Sequence, residues 1–217
     1  MVRTDSHVQR DVMDELAWEP SVAAGHVGAT AEDGVVTLTG HVASFAEKGS
    51  AEMAARRVKG VKAVIEHIEI KLPGDVRISD DKIAASAAFR LNEDVYVPSD
   101  SVQAVVEDGW ITLNGEVKWN YQKEAAEQCV WRLPGVLGVT NFINIKPQVN
   151  VSNISDDITH ALDRSWFFDP QTIQVSAEGG QVKLTGTVKS QHERQIAAAT
   201  AWRAPGVTDV SNDLVVA

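Results

Sequence analysis

Residues 35–42 read VVTLTGHV, and closely similar stretches recur twice later in the chain. Residues 110–117 read WITLNGEV, and residues 181–188 read QVKLTGTV. In each stretch apolar and polar residues alternate before the glycine, which is typical of a β-strand with one buried face. A pattern that returns at a nearly constant period indicates a repeated structural unit, so the flanking sequence should repeat as well.

The flanking sequence does repeat, because each copy contains two glycines that keep the same separation. The first glycine lies within the strand pattern and the second follows 20 residues later. The pairs are Gly40 with Gly60, Gly115 with Gly135, and Gly186 with Gly206. Both glycines recur at intervals of 75 and then 71 residues, so the stretch between them aligns without a gap. The sequence therefore predicts three tandem units, at residues 1–73, 74–147 and 148–217.

Each unit should contain two helices and three strands in the order α-β-β-α-β. Apolar residues at i, i+4 and i+8 predict a first helix, with Val8, Val12 and Leu16 as the example in the first unit. The Asp-Gly pair at residues 33–34 predicts a hairpin, and a second helix is expected over about 46–58, before a last strand. The fold class is thus α+β, with three tandem domains that each pack both helices on one face of a small mixed sheet.

The predicted first helices of the second and third units begin with residues that suit helix N-caps. An N-cap side chain accepts a hydrogen bond from one of the free amides of the first turn. Ser79 and Asp80 are the candidates in the second unit, and Ser155 and Asp156 are the candidates in the third.

Composition and charge exclude several classes of protein. The 217 residues are 44% hydrophobic and 23% charged, which is typical of a globular chain. The net charge of −10 argues against nucleic-acid binding, because nucleic-acid-binding proteins use Lys and Arg to neutralise phosphates. No apolar run approaches the roughly 20 residues of a spanning helix, so an integral membrane protein is not expected. The charged N-terminus lacks the apolar core of a signal peptide, and a cytoplasmic location is expected.

The two glycine motifs together resemble the BON domain, which is named for bacterial osmotically inducible and nodulation-associated proteins. In the first unit the motifs are GVVTLTGHV at residues 34–42 and GVKAV at residues 60–64. The resemblance extends over nearly the whole chain, three times. It implies an α-β-β-α-β fold, a binding role and no catalytic residues. It also implies an association with phospholipid or membrane surfaces and with osmotic or envelope stress.

One candidate interface in the second unit combines aromatic and basic residues. Trp119 and Tyr121 lie at the start of the predicted second helix, together with Lys118 and Lys123. Aromatic side chains beside lysines suit the boundary between a membrane and water. The alternative is that the aromatic residues pack against the protein at the helix start.

A second candidate interface lies on the open face of the same sheet, the face directed away from the helices. Strand alternation places Val105, Trp110 and Phe142 there, so an apolar patch is expected in the second unit alone. The corresponding residues are Thr30, Val35 and His67 in the first unit and Ser176, Gln181 and Asp213 in the third. An exposed apolar patch marks an interface, here with a neighbouring unit, another protein or a second copy in a homo-oligomer.

No catalytic, cofactor-binding or metal site is predicted. His26, His41 and His67 could approach one another around the first sheet, but the other units have no histidine at those positions. Cys129 has no histidine nearby in sequence and is expected to pack as a small apolar residue. An arginine near the end of each second helix can offset the negative helix end or contact a phosphate. The three arginines are Arg57, Arg132 and Arg203.

Three functional hypotheses follow from the residues and the resemblance. The first is binding to a phospholipid or membrane surface. The second is a protein-interaction or self-assembly module, and the third is a sensor of potassium or another cation. All three are binding functions that need no cofactor.

Overall fold

The computed structural model describes residues 4–72, 78–146, 153–165 and 172–216. Unit one contains α1 (Asp5–Trp18), β1 (Val27–Glu32), β2 (Val35–Val42), α2 (Phe45–Arg57) and β3 (Ala63–Ile70). Unit two contains α3 (Asp80–Glu93), β4 (Val102–Glu107), β5 (Trp110–Val117), α4 (Asn120–Trp131) and β6 (Gly138–Ile145). Unit three contains α5 (Ile154–Asp163), β7 (Ile173–Glu178), β8 (Gln181–Val188), α6 (Gln191–Trp202) and β9 (Asp209–Val216). The predicted α-β-β-α-β order is thus confirmed in all three units.

Each unit has its own three-stranded sheet, in which the second strand of the unit lies in the centre. The first two strands form an antiparallel hairpin, and the third strand runs parallel to the second. The register is equivalent in the three sheets, since Val36 pairs with Val64, Ile111 with Val139, and Val182 with Val210. The predicted small mixed sheets are therefore confirmed, and the predicted boundaries at residues 73–74 and 147–148 lie outside the described residues.

Three separate hydrophobic cores lie between the helices and the sheets. The predicted apolar stripe of the first helix is buried in every unit, as Val8, Val12 and Leu16 show for α1. The second helix contributes mainly small residues, such as Ala51 and Ala55 in α2, which let the helix lie close to the sheet. Both helices of a unit therefore cover the same face of its sheet and leave the other face open.

Of the four residues predicted as N-caps of the first helices, Ser79 alone lies at an N-cap position. Ser79 occupies the N-cap position of α3 without a side-chain cap bond, and Ser155 and Asp156 lie inside α5. The Asp80 carboxylate instead accepts hydrogen bonds from the backbone N–H groups of Asp108 at 2.8 Å and Gly109 at 2.9 Å. The hairpin turn between β4 and β5 recruits this side chain because its own amides have no strand partner.

Unit one repeats the same clamp between its first helix and its hairpin. The Asp5 carboxylate accepts from the backbone N–H groups of Asp33 at 3.0 Å and Gly34 at 3.1 Å. An aspartate in the first turn of the helix thus fixes a turn that is 28 residues away in sequence.

Removal of the Asp80 clamp should lower the stability of unit two. Asp80→Ala deletes two hydrogen bonds to a carboxylate, and such bonds contribute roughly 1–3 kcal/mol in this partly exposed setting. The matched control is Asp81→Ala, since Asp81 is exposed on the same helix turn. Thermal unfolding followed by circular dichroism should show a lower melting temperature for Asp80→Ala and an unchanged one for Asp81→Ala. Equal melting temperatures of the two variants would contradict a stabilising role of the Asp80 hydrogen bonds.

Units one and two are joined through an aromatic contact between their second helices. The Trp131 indole N–H, at the end of α4, donates to the backbone oxygen of Phe45 at the start of α2, at 3.1 Å. The two rings have centroids 6.0 Å apart, and Phe45 also packs against the core of unit two. Gly49 in α2 makes room for the indole, because a Cβ there would lie 2.1 Å from the ring.

The other two joints use equivalent positions. The start of α4 and the end of α6 line a shared cleft that includes Trp119, Asn120 and Trp202. At the third joint, the Gln191 side chain at the start of α6 donates to the backbone oxygen of Lys62, and α6 contacts α2 directly. In the first two joints, the start of one unit's second helix meets the end of another unit's second helix. In the third joint, the start of α6 meets the turn that follows α2. The three units form a closed cycle around these helices.

Candidate functional site

An exposed apolar cluster lies at one end of unit two, where the loop after α3 approaches the start of α4. Val95 is 90% exposed and Tyr96 is 60% exposed, whereas the next residue, Val97, is buried in the core. The Asp94 carboxylate accepts from the backbone N–H of Tyr96 at 2.9 Å, which fixes the loop. Two large side chains are thus held in solvent by a loop that is itself anchored.

Tyr121 completes this cluster from the first turn of α4. Its ring meets the ring of Tyr96 edge to face, with centroids 6.0 Å apart and an interplanar angle of 87°. Tyr121 is itself 51% exposed, and the side chain of Lys118 nearby in sequence is exposed as well. Val95, Tyr96 and Tyr121 are called the tyrosine tip below.

Sequence analysis identified Tyr121 but missed Val95 and Tyr96. The signal was present in the comparison of units, because the buried Val22 of unit one corresponds to the buried Val97 of unit two. Unit one has a proline and a serine before that valine, at residues 20–21, where unit two has Val95 and Tyr96. The two extra apolar side chains are therefore not required by the fold of the unit.

The structure separates the predicted Trp119 cluster into two parts. Lys118 and Tyr121 are exposed, whereas Trp119 and Lys123 are half-buried. Trp119 and Tyr121 both line the cleft shared with α6, so this cluster adjoins the joint between units two and three.

Trp119 also replaces a helix cap that the other units retain. The side chains of Ser44 and Ser190 accept from the backbone N–H at the third helical position, at 3.1 Å in both cases. Trp119 occupies the same N-cap position in α4 without an accepting oxygen. The loss of such a cap costs about 1 kcal/mol, so the tryptophan is placed there for its contacts across the joint.

The second predicted interface is on the open face of the unit-two sheet, where Val105 and Phe142 are exposed. They belong to the two outer strands, because Val105 pairs with Thr112 and Phe142 pairs with Asn114 of the central strand. The Trp110 indole lies over Gly138 and donates to the Thr140 hydroxyl at 2.8 Å. Trp110 is therefore partly covered by its own sheet, and polar residues of β5 separate Val105 from Phe142.

The other two sheets also expose an apolar residue on their last strand, and the expectation of a three-residue patch in unit two alone stays a prediction. Ile65 in unit one and Val215 in unit three are also exposed on the last strand of their sheets. Ile65 lies in the same row as Thr30, across Thr37 of the central strand, and Val215 pairs with Thr187 of the central strand.

The side chains that could act as a nucleophile or as metal ligands do not form a common site. Burial raises the pKa of the Cys129 thiol to about 11, so it is protonated at neutral pH and is a poor nucleophile. The rings of His26 and His41 stack with centroids 4.7 Å apart, while His67 lies on the exposed side of β3. Among the residues that the structure describes, no group of three or more His, Cys, Asp or Glu side chains could hold a metal ion.

Within residues 4–72, 78–146, 153–165 and 172–216, none of the helices has the length and apolar character needed to cross a bilayer.

Comparisons with known proteins identify relatives of this chain. Osmotically-inducible protein Y of Escherichia coli (strain K12) is 28% identical over 146 residues, which are 65% of this chain and 73% of that protein. Two solved structures of CdsD, titled a structural protein of the type III secretion system of Chlamydia trachomatis, are 18% identical and cover 96% of this chain. The matches cover 91% and 96% of those chains, and their TM-score of 0.27 is too low to carry an argument.

The family assignment rests on three matches within one chain. The BON domain matches residues 4–71, 79–147 and 150–217, so together the matches cover almost the entire sequence. Each match contains one complete set of the helices and strands described above. The chain therefore belongs to the BON domain family and carries three BON domains in tandem.

Proposed function

We propose that this chain is a non-catalytic binding protein that attaches to lipid surfaces through the tyrosine tip. The observation that carries the proposal is the exposure of Val95, Tyr96 and Tyr121 on an anchored loop and helix start. Aromatic side chains with a polar edge favour the boundary between headgroups and acyl chains, and an aliphatic side chain beside them can enter the apolar layer.

Charge at the tip favours insertion over electrostatic attraction. Lys118 is exposed near Tyr121, but the adjoining loop also carries the carboxylates of Glu93, Asp94 and Asp100. The tip thus has no excess of positive charge that would require an anionic membrane. Binding to zwitterionic vesicles that changes little with salt is the expected behaviour.

A role in osmotic or envelope stress is part of the same proposal. The support is the name of the Escherichia coli relative, osmotically-inducible protein Y, together with the BON domain matches of this chain. The expected cytoplasmic location is not supported by the comparison with this relative.

Val95→Glu should weaken binding to phosphatidylcholine vesicles at least tenfold. Burial of a valine side chain contributes about 1.5 kcal/mol or more, and a tenfold change in affinity corresponds to about 1.4 kcal/mol. Co-sedimentation of the full chain with vesicles measures the effect. The matched control is Val215→Glu, which places the same charge on an exposed valine of unit three. Equal binding by the two variants, or no binding by the unaltered protein, would reject the tip as a membrane anchor.

Self-assembly through the open face of unit two is the alternative, supported by the exposure of Val105 and Phe142. The two functions can be separated on the same samples by measuring molar mass with light scattering. An oligomer that Val105→Glu dissociates, with vesicle binding absent throughout, would favour the alternative.

A further inference from the structure

Unit three contains a cleft of about 680 Å³ that is lined by residues of its two helices and of the turn after the second helix. The end of α5 and the end of α6 form its walls. The charged and polar residues that line it include Arg164 and Arg203, one from each helix end, with His160, Ser165 and the carboxylate of Asp157. The lining thus contains two arginines and one aspartate in a chain whose overall net charge is −10, and Arg203 also borders the cleft shared with α4.

The equivalent arginine of unit one shows what this position binds. Arg57 corresponds to Arg203, and its guanidinium donates to Glu15 at 3.0 Å and to Glu19 at 2.9 Å. The hydrogen bond to Glu19 is the main reason why the pKa of Arg57 is raised. An arginine at the end of the second helix therefore holds anionic oxygens that are supplied by the first helix and the residue that follows it.

Unit three keeps the arginine but has lost both carboxylates. Ala161 and Ser165 replace Glu15 and Glu19 at the corresponding positions, and Arg164 replaces Trp18. Within the part of the chain that the structure describes, neither Arg164 nor Arg203 forms an ion pair. The cleft of unit three thus retains the cation and adds a second one, while the two carboxylates that pair with Arg57 in unit one have no counterpart and Asp157 is the carboxylate that lines it.

We propose that this cleft binds a phosphate group, presented either by a phospholipid headgroup or by a soluble phosphate ester. A guanidinium fork matches phosphate oxygens in geometry, and two forks can contact one phosphate from opposite walls. The bound phosphate takes the place of the two carboxylates that Arg57 holds in unit one. This site acts through charge, whereas the tyrosine tip of unit two acts through insertion of apolar side chains, although Arg203 and Tyr121 both border the cleft between the two units.

The decisive variant returns the carboxylates of unit one to unit three. Ala161→Glu with Ser165→Glu should pair with Arg203 in the way that Glu15 and Glu19 pair with Arg57, so the fold is retained and the cleft is closed to anions. Arg203→Gln with Arg164→Gln removes the cations directly. The matched control is Arg132→Gln, which alters the equivalent arginine of unit two, and melting curves check that each variant is folded.

Binding is measured on the full chain by NMR titration with inorganic phosphate and with glycerol phosphate in low salt. Shifts at residues 157–165 and 200–205 are expected, with at least tenfold weaker binding in both double variants and unchanged binding in Arg132→Gln. Vesicles with phosphatidylglycerol, compared with pure phosphatidylcholine, test the lipid source. Binding of these vesicles without a response to the soluble phosphates assigns a headgroup, whereas binding of glycerol phosphate assigns a soluble ester.

Three results would overturn the proposal. They are no response to any of the phosphate probes, shifts that map outside the cleft, and unchanged affinity in the Ala161→Glu, Ser165→Glu variant. Val95→Glu should leave phosphate titrations unaltered, so failure of the membrane anchor and failure of this site give different results.

Discussion

Gly115→Ala is expected to unfold unit two. Gly115 has a φ of +146°, and a Cβ at this position would lie 2.0 Å from the backbone oxygen of Ser101. That oxygen is fixed, because it accepts from the backbone N–H of Glu116 at 3.2 Å at the open end of the hairpin. The added methyl group therefore has no flexible neighbour to displace, and the two strands must separate.

The expected loss exceeds about 3 kcal/mol, since backbone strain alone costs roughly 1–3 kcal/mol and the steric overlap adds to it. Proteins typically have about 0.05–0.15 kcal/mol of unfolding free energy per residue, so a unit of this size has only about 4–10 kcal/mol. The substitution therefore removes a large part of the unfolding free energy of unit two. Hydrogen exchange resolved along the sequence should show loss of protection in β4, β5 and β6.

Gly25→Ala is the control for the glycine substitution. A Cβ at Gly25 would meet nothing within 4 Å, and its backbone does not have a left-handed φ. This variant should unfold like the unaltered protein. Equal stability of Gly115→Ala and Gly25→Ala would show that the close approach at Ser101 is not rigid.

Gly49→Ala is expected to destabilise the protein, although the same change in an exposed helix normally stabilises it by about 1 kcal/mol. A Cβ at Gly49 would lie 2.1 Å from the indole of Trp131, which is held by its hydrogen bond to Phe45. The ring must therefore leave the joint, and its packing against unit one is lost. Trp131→Ala alone should cost about 2–3 kcal/mol, somewhat below the usual range for a fully buried tryptophan.

A double-mutant cycle separates these effects. In the Trp131→Ala background, Gly49→Ala should become stabilising because only the helix propensity remains. Urea unfolding of the four proteins gives the coupling energy, which is expected at roughly 1–3 kcal/mol. Additive changes, with Gly49→Ala equally harmful in both backgrounds, would contradict a joint formed by these two residues.

Most of the fold could be predicted from the sequence because it depends on local periodicity. The apolar spacing of Val8, Val12 and Leu16 predicted α1, and the alternation in residues 35–42 predicted β2 with its buried and open faces. These patterns depend only on which face of an element is buried. Repetition of the pattern in three units made the prediction stronger than any single unit would allow.

Interactions across long separations could not be predicted in this way. Asp80 was expected to cap its own helix, but it binds the hairpin turn because the turn amides lie at the helix start only after folding. The sequence left open whether Trp119 lies at a membrane interface or packs at the helix start, and the structure places it in the cleft between units two and three. Val95 and Tyr96 are recognisable as a cluster only once Tyr121 is brought beside them.

The amino-acid sequence by itself determined the repeated unit, its order of helices and strands, and the face that each element buries. Burial of an alternating or helical stripe is a property of each segment, so the pattern of residues is sufficient. Tertiary structure alone decided which units touch, and which side chains of different units share a surface. The tyrosine tip and the two-arginine cleft exist because packing brings together residues that are distant in sequence, and no local pattern encodes that proximity.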